Sequence, residues 1–179
     1  MQRLAFSSDD INVLRQSIEI AEDLISDHFK ISTSEWKRYR YDIQSLKDLA
    51  EEEVTDEAFA QIRRYARCPS ERLRGSAVDE YFKICLQDHM IFQALRRDPQ
   101  IRLLPLSAYI VTHELIHVVR FARFLQRFQV SERERETEEY LVHNLTQELL
   151  RPRKIPGLPE VLAAYKSAGL METLVVAAG

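Results

Sequence analysis

Apolar side chains recur at helical spacing along most of the chain. Ile11, Leu14, Ile18, Ile25 and Phe29 share one stripe behind the capping pair Ser7 and Asp10, and predict a first helix from Ser8 to about Lys30. Ser32 and Glu35 form a Ser-x-x-Glu capping box for a second helix, carrying Trp36, Ile43, Leu46 and Leu49 to the acidic run Glu51-Glu52-Glu53. A third opens at Thr55 and ends by Cys68, because Pro69 follows and 69–76 reads as a loop. A fourth starts with Ser76 and Asp79 and runs through VDEYFKICLQDHMIFQALRR to Asp98-Pro99; IRLL then allows one strand-like turn. From Pro105 to about Phe128 apolar residues lie on every side, which makes the fifth helix the buried centre. Ser131 and Glu134 box the start of a sixth, which ends at Arg151-Pro152. A short last helix spans Pro159 to Ser167 with Gly169 as its stop, and the apolar tail LMETLVVAAG is left to dock on the body or on a partner. The pattern therefore predicts an all-α fold, a single-domain bundle of six to seven helices around the helix at about 105–128.

Composition supports one domain of ordinary size: 179 residues, 45% of them hydrophobic, with only four glycines. With 25 basic and 28 acidic side chains the formal charge is −3, so no electrostatic reason exists to expect nucleic acid or an anionic membrane. No run of about 18 uninterrupted apolar residues is present to span a membrane. Cys68 and Cys85 are too few for a disulfide framework, and MQRLAFSSDD lacks a basic segment followed by an apolar run. The expected setting is a reducing cytoplasm.

The densest chemistry lies in Thr112-His113-Glu114-Leu115-Ile116-His117. On a helix, two histidines at i and i+4 reach one ion from the same face, and the glutamate beside the first is placed to address a metal-bound water. The flanking Ile110, Val111, Val118 and Val119 are uncharged, as a buried metal-bearing helix requires. Over IVTHELIHVV the chain resembles the zincin metallopeptidases. That resemblance implies Zn²⁺ on His113 and His117, Glu114 as general base, and hydrolysis of a peptide or small-molecule substrate. It also implies a β-sheet ahead of the motif helix, where the pattern above predicts helices.

A zinc centre of this type needs a third protein ligand. With Leu145 taken as the centre of the sixth helix's apolar face, Leu141, Val142 and Leu149 lie near it, and so does Glu138. Glu138 is the first choice on facing and Glu139 the second. His89, on an apolar stripe with Phe82, Cys85 and Phe92, is a further candidate ligand or hydrogen-bond donor to one. His143 reads as a surface residue, and His28 as one that complements a helix C-terminus. Arg120 continues the face of His113 and His117 and needs a counter-charge, for which Glu138 is available. Tyr109, one turn before His113, is placed to donate a hydrogen bond into the site or to be bonded within the core. A different reading takes Glu114 and His117 as the Glu-x-x-His of a ferritin-like bundle holding two Fe or Mn ions, with Glu22 and Glu138 as the lone glutamates. A third is a helical interaction protein whose metal is structural or absent.

Overall fold

The structure is a computed structural model, and it describes residues 3–67, 79–127, 129–167 and 174–177. Its architecture is α+β rather than all-α. In chain order the elements are α1 (Ser8–Phe29), α2 (Thr33–Trp36), β1 (Tyr41–Gln44), β2 (Ala60–Arg67), β3 (Asp79–Leu86), α3 (Asp88–Arg97), α4 (Leu103–Ala122), α5 (Glu132–Leu150), α6 (Leu158–Ala164) and β4 (Leu174–Ala177). The strands form one sheet in the order β1-β3-β2-β4. β2 and β3 pair antiparallel, β1 runs parallel to β3, and β4 runs parallel to β2.

The sheet occupies the segment where helical stripes had been expected. Ile43 belongs to β1; α2 stops after one turn at Trp36, and Leu46–Asp48 and Glu51–Glu53 are single 3₁₀ turns. The expected third and fourth helices are replaced by the β2/β3 pair, with helix resuming only at Asp88. The physical reason lies in the period. Along DEYFKICL, Phe82, Ile84 and Leu86 alternate with Tyr81, Lys83 and Cys85, and together with Ala60 and Ile62 of the paired strand they form one apolar sheet face. Ile62 and Ile84 are fully buried there. Neither segment reveals this alone, because β-pairing is a non-local contact and Ala, Gln and Arg are equally acceptable in a helix. The loop expected over 69–76, the start of a helix at Ser76 and the stop at Gly169 fall outside the described residues. Part of the apolar tail, 174–177, is docked as β4.

Caps are where local sequence and structure agree. Ser7 and Asp10 form a reciprocal capping box on α1, Ser131 and Glu134 one on α5, and the Ser32 hydroxyl accepts from the Glu35 amide. α4 is buried from Pro105 through Val119. It packs beside α1, crosses the inner sheet face, where Phe121 stacks on Phe82 at 5.8 Å, and is covered by α5 and α6. α4 and α5 run antiparallel, since Tyr109 meets His143 and, one turn on, His113 meets Glu139. The polar side of the sheet is closed by Glu53, which accepts from Lys83 Nζ at 2.6 and 2.7 Å and from the Tyr65 hydroxyl at 2.6 Å. No described helix is long and apolar enough to cross a membrane.

Candidate metal centre

The inward stripe of α5 decides the site. Glu139, Val142, His143, Thr146, Gln147 and Leu150 are its buried positions, a set at i, i+3, i+4, i+7, i+8 and i+11. The stripe centred on Leu145 is thus rotated by one residue, roughly 100°. Hydrophobicity alone points the wrong way here because His143, Thr146 and Gln147 bury polar groups that are all paired inside. The Tyr109 hydroxyl donates to His143 Nδ1 (2.8 Å) and Thr146 donates to the Val142 carbonyl. Gln147 donates to the carbonyls of Leu162 and Tyr165. His143, read above as a surface residue, is 2% exposed because the chain after α6 covers it, with the Lys166 carbonyl accepting from its Nε2.

With α5 in this rotation Glu139, the second choice, faces the two histidines of α4, and Glu138 does not. Glu139 Oε2 lies 3.2 Å from His113 Nε2, and Glu139 Oε1 lies 3.2 Å from His117 Nε2. The three residues form a buried cluster able to offer one ligand atom each to a common ion. Glu138 turns to Arg120, which donates to it through Nε at 2.9 Å and through a terminal nitrogen at 3.0 Å, a bidentate pair.

The remaining candidates lie elsewhere. His89 hydrogen-bonds through Nε2 to Asp56 (2.7 Å) at the start of α3. Tyr109 spends its hydroxyl on His143 and Gln147. Glu22 accepts from the Tyr41 hydroxyl, so the two lone glutamates of the ferritin-like reading, Glu22 and Glu138, are both engaged away from His117. His28 is exposed in the last turn of α1.

One contributor had no signal in the sequence. Gln126, just past α4, accepts at 2.9 Å from His117 Nδ1 through its side-chain oxygen. A proton committed to Nδ1 leaves the Nε2 lone pair facing Glu139. His117 Nε2 faces Oε1 of Glu139 at 3.2 Å, and His113 Nδ1 has no hydrogen-bond partner among the described residues. A positive charge between this nitrogen and the carboxylate oxygen, a proton or a metal ion, satisfies both atoms.

The surroundings bias the charge of each of the three groups. Burial, the largest influence on His113, lowers its pKa. Burial also opposes protonation of His117, yet the adjoining Glu139 carboxylate and the charge of Glu114 outweigh it and leave the pKa raised. For Glu139 burial would favour the neutral acid, but the two imidazoles hold the carboxyl well below the usual carboxylate range. Glu114 is 2% exposed, on the turn between the two histidines.

A divalent ion fits these donors. Zinc takes imidazole nitrogen at about 2.0–2.1 Å and carboxylate oxygen at about 2.0–2.2 Å, which in a tetrahedron sets neighbouring ligand atoms about 3.3 Å apart. Here each imidazole nitrogen lies 3.2 Å from a different oxygen of Glu139, and one ligand atom from each residue lies within 4.8 Å of the other two. No family model matches the chain, and no curated protein or solved structure matches it.

Proposed function

We propose that the protein binds a zinc ion through His113, His117 and Glu139, and that the centre is that of a zinc-dependent hydrolase of metallopeptidase type acting on a peptide or small molecule. The observation that carries the reading is the convergence of three buried donors, with Glu139 Oε2 and Oε1 each 3.2 Å from Nε2 of His113 and His117, while Nδ1 of His117 is held by Gln126. Two imidazoles and one carboxylate also form the donor set that leaves a fourth zinc position for water. Bound zinc would supply a Lewis acid that brings the pKa of such a water towards 7. Glu114, next to His113 and buried beside the cluster, is the residue placed to take a proton there as general base. Three of the four described strands precede α4, which supports the resemblance to zincins, in which a sheet precedes the motif helix.

Elemental analysis of chelator-free protein tests the reading. One zinc per chain is expected in the unmutated protein and none in His113→Ala. Glu114→Gln should keep the zinc and lose hydrolysis of quenched-fluorescent peptides by about 10²–10⁴-fold. Protein that takes up no metal at saturating zinc would sink the proposal; zinc lost from Glu114→Gln would make Glu114 a ligand instead of a base.

A further inference from the structure

The donor cluster is enclosed: His113, Glu114 and His117 are each at most 2% exposed and Glu139 is 7% exposed. Any ion or substrate therefore needs a way in. The turn that ends α4 closes one side. Its backbone makes a Schellman closure, in which the amide of Leu125 donates to the carbonyl of Arg120 (2.8 Å) and the amide of Phe124 to that of Phe121 (3.0 Å). The central residue of that closure adopts a left-handed conformation and is usually glycine. Here it is Phe124, at φ 55°, with its side chain 91% exposed. The ring gains almost no packing to offset the strained backbone. The turn is held shut by Arg120, which donates to the Leu125 carbonyl at 3.4 Å while paired with Glu138, and by Gln126, whose side chain reaches His117. A strained residue and an inward-reaching amide thus share one four-residue turn, 123–126.

We propose that this turn is the gate of the metal centre, with Gln126 as its latch and as the positioning residue for His117. The proposal rests on the zinc reading above. When the turn is closed, Gln126 fixes the ring of His117 so that Nε2 faces Glu139. When it opens, the amide leaves Nδ1 and uncovers the donors. Phe124 keeps the closed form only marginally favoured, so exchange is possible without unfolding α4.

Rates of zinc removal from the loaded full-length protein by excess chelator, followed by stopped-flow absorbance, test this. Gln126→Ala should release zinc about tenfold faster. Gln126→Glu, which preserves an acceptor for Nδ1–H, should restore slow release. Phe124→Gly relieves the left-handed strain and should slow release about fivefold, whereas Phe124→Ala keeps a Cβ at positive φ and should release at the unmutated rate. Equal rates in all variants that still bind one zinc would overturn the gate and leave the metal centre standing. Absence of zinc in the unmutated protein would overturn both. Phe124 lies on the surface, so its two variants fold and keep the test decisive should Gln126→Ala fail to fold.

Discussion

Zinc should stabilise this protein measurably, and the expected size follows from its dimensions. A ligand bound only by the folded state contributes about 2.7 kcal/mol when its free concentration is a hundred times its dissociation constant. For a domain of 179 residues, each kcal/mol moves the melting temperature by about 2–4 °C. The expected shift on loading chelator-treated protein is therefore about 5–11 °C, read by differential scanning calorimetry. The perturbation is Glu139→Gln, which removes the anionic donor whose two oxygens each lie 3.2 Å from an imidazole nitrogen. Its zinc shift should fall to within about 1 °C of zero at the same free zinc concentration, because a neutral amide lacks the negative charge that a carboxylate brings to a doubly charged ion. Glu138→Gln is the matched control. It breaks the bidentate pair with Arg120, lowers the baseline melting temperature, and leaves the zinc shift in place. The reasoning is refuted if the unmutated protein melts at one temperature with and without zinc, or if Glu138→Gln abolishes the shift and Glu139→Gln keeps it.

Other outcomes follow from particular contacts. At Glu53, 3% exposed, burial alone would favour the neutral acid, but Lys83, Tyr65 and the Ala50 amide hold the pKa down to about 2 from 4.5. A depressed acid stabilises the fold above its unfolded pKa and ceases to do so as pH falls through the folded value. Glu53→Gln should thus lose about 3 kcal/mol at pH 7 in urea unfolding, with the difference shrinking between pH 4.5 and 2; a difference independent of pH would contradict the assignment. Tyr109→Phe leaves His143 Nδ1 without its donor and should destabilise by about 1–3 kcal/mol while zinc stoichiometry stays at one per chain. Loss of zinc in that variant would place Tyr109 in the metal centre rather than in its supporting network. At the start of α6, Gly157→Ala puts a Cβ at φ +83°, 3.3 Å from Cγ of Pro105 in α4, and should destabilise by about 1–2 kcal/mol in the same assay.

The legible part of the site was the part carried by one helix. His113, Glu114 and His117 share α4, and their relation at i, i+1 and i+4 survives whatever the rest of the chain does. Glu139 was legible only as one of several neighbouring acids, because its facing depends on the rotation of α5. That rotation is set by buried polar pairs such as Tyr109–His143, which a hydrophobicity pattern assigns to solvent. Gln126 carried no sequence signal at all, since a glutamine in a connection becomes meaningful only when the turn folds back on His117.

The amino-acid order by itself determined the features governed by contacts within a few residues. These are the caps at Ser7 and Ser131, the all-round apolar character of α4, and the pair of imidazoles one turn apart. The tertiary structure alone decided the sheet and the carboxylate that joins the two histidines. Strands exist here because Ala60–Arg67 and Asp79–Leu86 find each other and a covering helix, and that pairing energy is absent from either segment in isolation. The carboxylate at the histidines is Glu139 because the antiparallel register of α4 and α5 sets Tyr109 against His143, one helical turn from His113 against Glu139. A shift of one residue in α5 would have presented Glu138 instead, and only packing between the two helices chooses between them.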